Sequence, residues 1–121
     1  MHTIQISNVN GEFPPLKAAV CDSFFSKFLG LMFRKSLRLD EGILLVENSE
    51  SRVNSAIHMF FMKFDIGVIW INNDKIVVDK VLAQKWRPFY APSQPARYTI
   101  EARTEALESF QIGDQVAFSN D

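Results

Sequence analysis

The stretch IHMFFMKFDIGVIW, Ile57 to Trp70, is the most apolar in the chain and limits the fold more than any other. Wound as a helix, Ile57 to Met62 would be apolar almost all round, which suits only a helix buried on every side. The residue types are those of strands: β-branched and aromatic side chains dominate, and Gly67 interrupts them. We read Ile57 to Met62 as one buried strand and Val68 to Ile71 as the next, with KFDIG as the link. Lys63 and Asp65 then fall in a connection, where charge is expected. His58 alone lies within a strand.

Short strand-like runs recur elsewhere. HTIQISN, residues 2–8, alternates apolar and polar with Ile4 and Ile6 on one face. Asn10-Gly11 signals a tight turn, and Pro14 and Pro15 bar a central strand for a few residues. LKAAVC (Leu16 to Cys21), ILLVE (Ile43 to Glu47) and YTIEA read as strands. NNDK, Asn72 to Lys75, turns into the strand IVVDKVL, and GDQVAFS is a closing turn plus strand. RKSLRLDEG and NSESRVNS read as loops. AQKWRPFYAPSQPARY, with Pro88, Pro92 and Pro95, reads as a long irregular loop, and loops of such length are often functional.

The period changes twice. In DSFFSKFLGLMF, Phe24, Phe25, Phe28, Leu31 and Met32 recur at helical spacing. Asp22 or Ser23 is placed to cap the first turn, where orphan N–H groups need an acceptor. Gly30 either ends this helix or lets another backbone approach. TEALESFQI reads as a second, short helix. The expectation is a mainly β fold, with α+β as the other option: a compact sandwich or barrel of about seven short strands carrying one or two helices. The length of 121 residues fits one domain over 1–121 and allows a core without disulfides or metals.

Charge and cysteine content narrow the function classes. Thirteen basic and 14 acidic side chains leave a formal charge of -1, so no whole-molecule field steers the chain to nucleic acid or membrane. No window is apolar and long enough to span a bilayer. The N-terminus has neither a basic nor an apolar signal region. Cys21 is the one cysteine and cannot form an internal disulfide. The expectation is a soluble cytoplasmic protein with no cofactor and no nucleic-acid or membrane partner.

Each candidate site has a structural counterpart. His58 is either an acid–base or ligand-contacting imidazole, or a hydrogen-bonded histidine at a strand end. No His-x-His or His-x-x-x-His spacing exists, so no metal site is expected. Cys21 precedes a helix start, which favours thiolate, but neighbouring Asp22 opposes it, so a buried inert thiol is expected. Arg34, Lys35 and Arg38, with Lys85, Arg87 and Arg97 around Trp86, Phe89 and Tyr90, make either an anion-binding surface or a solvated rim with Trp86 packed on the core.

FFSKFLGLMFRKSL, EGILLV, IHMFFMKFDIGVIWIN, YTIEA and IGDQVAF occur in an order that resembles the DUF192 family, from about Ala19 to Phe118. The Gly-Leu-Met-x-Arg signature, Gly30 to Arg34, is the most specific part. The resemblance implies a small β-rich, jelly-roll-like domain and no established activity. The family's recurring polar positions fall on Arg34, His58 and Glu101, and Met59 follows the position that is often tryptophan or histidine. Two positions depart from the pattern. Gly67 stands where an aspartate is usual, with Asp65 at a proline position, and Glu105 replaces a glycine. Arg34 is placed either for ligand binding or to tie a helix end to Glu101.

These residues support three readings. The first is a non-catalytic binding module for a small polar or anionic ligand, lined by Arg34, His58, Met59, Trp86 and Glu101. The second is a small hydrolase or lyase using His58 as base with Glu101. The third is a protein-interaction domain anchored by the Trp86 loop.

Overall fold

The structure, a computed structural model, describes residues 2–23, 26–27, 30–32 and 34–120. Alternating sequence becomes alternating burial in β1 (Thr3–Asn8), where Ile4, Ile6 and Asn8 turn inward. β2 (Leu16–Cys21) follows the prolines. β3 (Glu41–Ser51), β5 (Ile66–Ile71) and β8 (Ala96–Ala102) supply the most apolar runs. β6 (Val77–Ala83) and β9 (Val116–Asn120) complete a seven-stranded sheet of order β6-β5-β8-β3-β2-β1-β9. β4 (Ile57–His58) and β7 (Phe89–Tyr90) form a separate two-stranded sheet. The fold is therefore mainly β, with nine strands among the described residues.

The sheet is mixed because β2 and β3 run parallel, whereas its other pairs are antiparallel. It curls until its edge strands meet. Ile76, just before β6, bridges Gln115, just before β9. Val77 N donates to Asp114 O at 2.9 Å and Val116 N to Lys75 O at 2.8 Å.

Curling gives the sheet two cores. Ile4, Ile6, Leu44, Ile69, Ile100 and Val116 fill the inner one, against Ala106 and Phe110. Ile43, Leu45, Val68, Trp70, Met59 and Leu31 belong to the outer one. Strands β3, β5 and β8 are thus covered on both faces, which is why their sequences read as nearly unbroken apolar runs. Asn8 locks the end of the inner core. Its Nδ2 donates to Ser109 O at 2.8 Å and Asp114 Oδ2 at 2.7 Å, and its Oδ1 accepts from Asn10 N.

Four expectations about the strands change, the first being that KFDIG, read as a link, gives Ile66 and Gly67 to β5. The strand read over Ile57 to Met62 ends at His58. The chain then turns, with Met62 N donating to Met59 O at 3.3 Å and Phe61 at φ 63°. Ile57, Met59 and Met62 are buried while Phe60 and Phe61 face solvent, so a single strand face cannot hold them all. The loop read over NSESRVNS begins as an extension of β3 to Ser51. The loop around Trp86 carries β7, which pairs with β4.

Ser23 is the cap of the first helical turn. Its Oγ accepts from Ser26 N at 3.1 Å, and Lys27 N and Gly30 N donate four residues back at 3.0 Å each. Gly30 ends the turn in the left-handed region, φ 45°, where glycine is the favoured residue. The rest of that helix reading, over Phe24, Phe25, Phe28 and Phe33, lies outside the described residues. The second expected helix is one 3-10 segment, η1 (Thr104–Ser109), shorter than TEALESFQI.

Candidate functional site

Glu101 sits on β8, between β3 and β5. Its lateral neighbours are Ile43 on one side and Val68 on the other. Strand alternation therefore points a carboxyl into the outer, apolar core. The residue is only 6% exposed. Burial pushes its carboxyl up to about 7 from an ordinary 4.5. Among the described residues nothing donates a hydrogen bond or an ion pair to it. Gly30 passes close by: a Cβ there would lie 3.5 Å from Glu101 Oε1.

Above Glu101 opens a cleft of about 270 Å3. Lys27, Gly30 and Leu31 form one wall, Ser55, Ile57 and His58 another, and Leu45, Glu47 and Thr99 join Glu101 at the floor. Lys27 Nζ lies 3.1 Å from Glu47 Oε1, so the cation is already paired. Ser55 is fixed: its carbonyl accepts from Trp70 Nε1 at 2.8 Å, and its hydroxyl donates to the Ser51 carbonyl. His58 Nδ1 accepts from Phe60 N at 3.3 Å.

The sequence-derived candidates separate. His58 and Glu101 line this one cleft. Arg34 is elsewhere: its guanidinium meets Glu41 Oε2 at 3.1 Å, not Glu101. Glu41, which opens β3, is only seven residues away, so the nearer carboxylate takes the arginine. Met59 is fully buried and packs the outer core. Trp86 is 54% exposed, packs edge-on to Phe61 at 5.2 Å, and lines a separate hollow with Lys63 and Lys85. It is not a lid on the core.

Sequence reasoning passed over Lys27, Glu47, Ser55 and Thr99. Period two contained a signal for one of them: Ile43, Leu45 and Glu47 share the sheet face of Glu101. Cys21 is buried, and burial first, then the charges of Glu101 and Asp22, push its thiol up. Among the described residues no group of three or more His, Cys, Asp or Glu is arranged to hold a metal.

The two departures from the family pattern lie away from the cleft. Gly67 pairs with Ala102 while Val68 pairs with Glu101, so Gly67 faces the other side of the sheet. A Cβ there would lie 3.0 Å from the Arg103 carbonyl and 3.0 Å from Leu107 Cγ. Glycine lets β5 pack against η1. Asp65 Oδ1 instead accepts from Lys85 N at 2.9 Å. Asp65 and Glu105 share a small hollow with Lys35 and Arg103, and Arg103 pairs with Glu105 at 2.7 Å.

Sheet order and cleft define a small mixed-β domain with a partly buried polar hollow over its central strands. The chain belongs to the DUF192 family, described as "Uncharacterized ACR", which it matches over residues 5–118. A UPF0127 protein of Pyrococcus furiosus is 36% identical over 106 residues, covering 86% of this chain and 88% of that protein. One from Thermococcus kodakarensis is 36% identical over 105 residues, and the match spans 65% of its length. Two solved structures share the fold. A Sinorhizobium meliloti protein, named as a candidate transcription regulator, has a TM-score of 0.83 at 16% identity, over 97% of this chain and 92% of its own. A Novosphingobium aromaticivorans protein of unknown function gives 0.80 at 17%, over 95% and 83%.

Proposed function

We propose that this protein is a binding module whose cleft takes a small polar molecule, held at the floor by Glu101. One observation carries the reading: a carboxyl that is 6% exposed, faces a cleft, and has no partner among the described residues. The cleft gives that carboxyl access to solvent, since among the described residues no fully buried side-chain oxygen lacks a partner, and a ligand that donates to it takes the place of water there. Concave sites with a few convergent polar groups in apolar walls are where small molecules bind. The electrostatics narrow the ligand. Glu47 and Glu101 face one cation, Lys27, which Glu47 already holds. That balance favours hydroxyl, amide or ammonium donors over an anion. Binding is favoured over catalysis because the His58 Nδ1 is engaged by Phe60 and not by Glu101.

A thermal-shift panel of polyols, sugars, amines, amides and small acids tests the proposal. A ligand at about 100 times its Kd adds about 2.7 kcal/mol, a rise of several degrees for a domain of this size. The expected hit is a donor-bearing molecule whose effect is lost in Glu101→Gln and kept in Arg34→Ala. A silent panel overturns the reading, as do hits confined to anions or hits that survive Glu101→Gln.

A further inference from the structure

The aromatic residues that the cleft does not use gather at one place. Phe60, Phe61, Trp86 and Phe89 are all exposed, Phe89 to 69%. They belong to two segments tied together. β4 pairs His58 with Phe89, Trp86 N donates to Met59 O at 3.0 Å, and Lys85 N donates to Asp65. The rings buttress one another edge-on, Phe60 with Phe89 at 6.3 Å and Phe61 with Trp86 at 5.2 Å. Phe61 and Trp86 hold φ of 63° and 67°, a region that bulky residues rarely occupy. Strain of this kind persists where surrounding structure enforces it and clusters at functional sites. Here it fixes two large apolar side chains at the surface.

Charge surrounds these rings. Lys63, Lys85 and Arg87 lie within two residues of them in sequence, where no carboxylate stands; Asp65, two residues past Lys63, accepts from Lys85 N. All three cations are exposed, and among the described residues none is in an ion pair; Arg87 lies over the Tyr90 ring at 5.2 Å. A whole-chain charge of -1 conceals this local positive field.

We propose that this aromatic and cationic tip docks on a membrane surface containing anionic lipids. Tryptophan and phenylalanine enter the boundary between headgroups and acyl chains, while lysine and arginine stay with the phosphates. Such docking requires no spanning segment, and among the described residues no helix is long and apolar enough to cross a membrane. The packing disfavours nucleic acid, because base stacking needs open ring faces. Here Phe60 is stacked on His58 at 5.8 Å and also meets Phe89 edge-on.

The two tryptophans supply the assay. Trp70 is 1% exposed and hydrogen-bonded to Ser55, whereas Trp86 is 54% exposed, so a lipid-induced change in emission reports Trp86. The whole chain is titrated with phosphatidylcholine vesicles and with vesicles holding about 30% phosphatidylserine, at low and high salt. The expected result is a blue shift and co-sedimentation with the anionic vesicles, reversed by salt. Each basic side chain near an anionic surface contributes roughly fivefold, so Lys63→Gln with Lys85→Gln weakens binding about 25-fold. Phe60→Ser with Phe89→Ser abolishes co-sedimentation. Both pairs are solvent-facing, and an unchanged melting temperature confirms that the fold is intact. Absence of binding to anionic vesicles overturns the proposal. So does equal, salt-insensitive binding to neutral vesicles. A Trp86 shift with an oligothymidylate but not with vesicles assigns the tip to nucleic acid instead.

Discussion

Glu101→Gln keeps the shape of the side chain and removes its ionisation. The native carboxyl titrates near 7 and the unfolded one near 4.5. A raised native value means that the folded state holds the proton more tightly. The stability this group contributes is therefore complete below about pH 4.5, and it is lost as pH rises through about 7. At about 1.36 kcal/mol for each pH unit between the two values, the full loss is about 3 kcal/mol. Relative to Glu101→Gln, the wild type loses about 1 kcal/mol by about pH 5, about 2 by about pH 6, and the full amount by about pH 8. That corresponds to roughly 10 °C in melting temperature at the alkaline end. Urea denaturation of both proteins between about pH 4 and pH 8 measures the difference. The buried amide has its own desolvation penalty, independent of pH, so the slope and not the offset is the test. Parallel stability curves would falsify the claim that β3 and β5 shield this carboxyl from water. A difference of opposite slope would mean that a cation stabilises its charged form.

Three further outcomes are expected. Gly67→Asp, which installs the aspartate that the resemblance led one to expect, destabilises by about 3 kcal/mol or more in urea denaturation, because the new side chain meets the Arg103 carbonyl and Leu107. A loss under about 0.5 kcal/mol would show that the contact between β5 and η1 yields freely. Asn8→Ala removes three hydrogen bonds at a buried junction and lowers stability by about 2–3 kcal/mol, read as a lower denaturation midpoint. Cys21 stays unreactive to a thiol-specific disulfide reagent at about pH 8 until the protein is unfolded, since it is buried and its thiol is pushed up. Rapid native labelling would place it at an accessible surface.

The strands were most legible where one face meets the core and the other meets water. In β1 the alternation of Ile4 and Ile6 with polar neighbours has one solution, and β2 follows from two prolines and a short apolar run. Ile57 to Met62 misled because its residue types suit a strand, yet composition does not reveal which aromatics stay outside. Phe60 and Phe61 are held outward by the partner loop at Trp86, about 25 residues away in sequence. Of the candidate site residues, His58 and Glu101, which the resemblance points to, line one cleft. The tie read between Arg34 and Glu101 is replaced by a pair with Glu41, which tertiary placement and not residue type decides. Lys27 and Glu47 are 20 residues apart, and only tertiary packing makes them a pair.

The parallel pairing of β2 with β3 has a consequence for how such a cleft can diversify. Parallel neighbours cannot be joined by a tight hairpin, so this fold must carry a long crossing segment, which here runs from Asp22 to Asp40. Lys27, Gly30, Leu31 and Met32, the wall over Glu101, all lie on that segment. Mutation can lengthen, shorten or recharge the wall while every strand keeps its register. The framework that buries the carboxyl and the part that selects what reaches it are separately mutable, so a change of ligand need not begin with a change of fold.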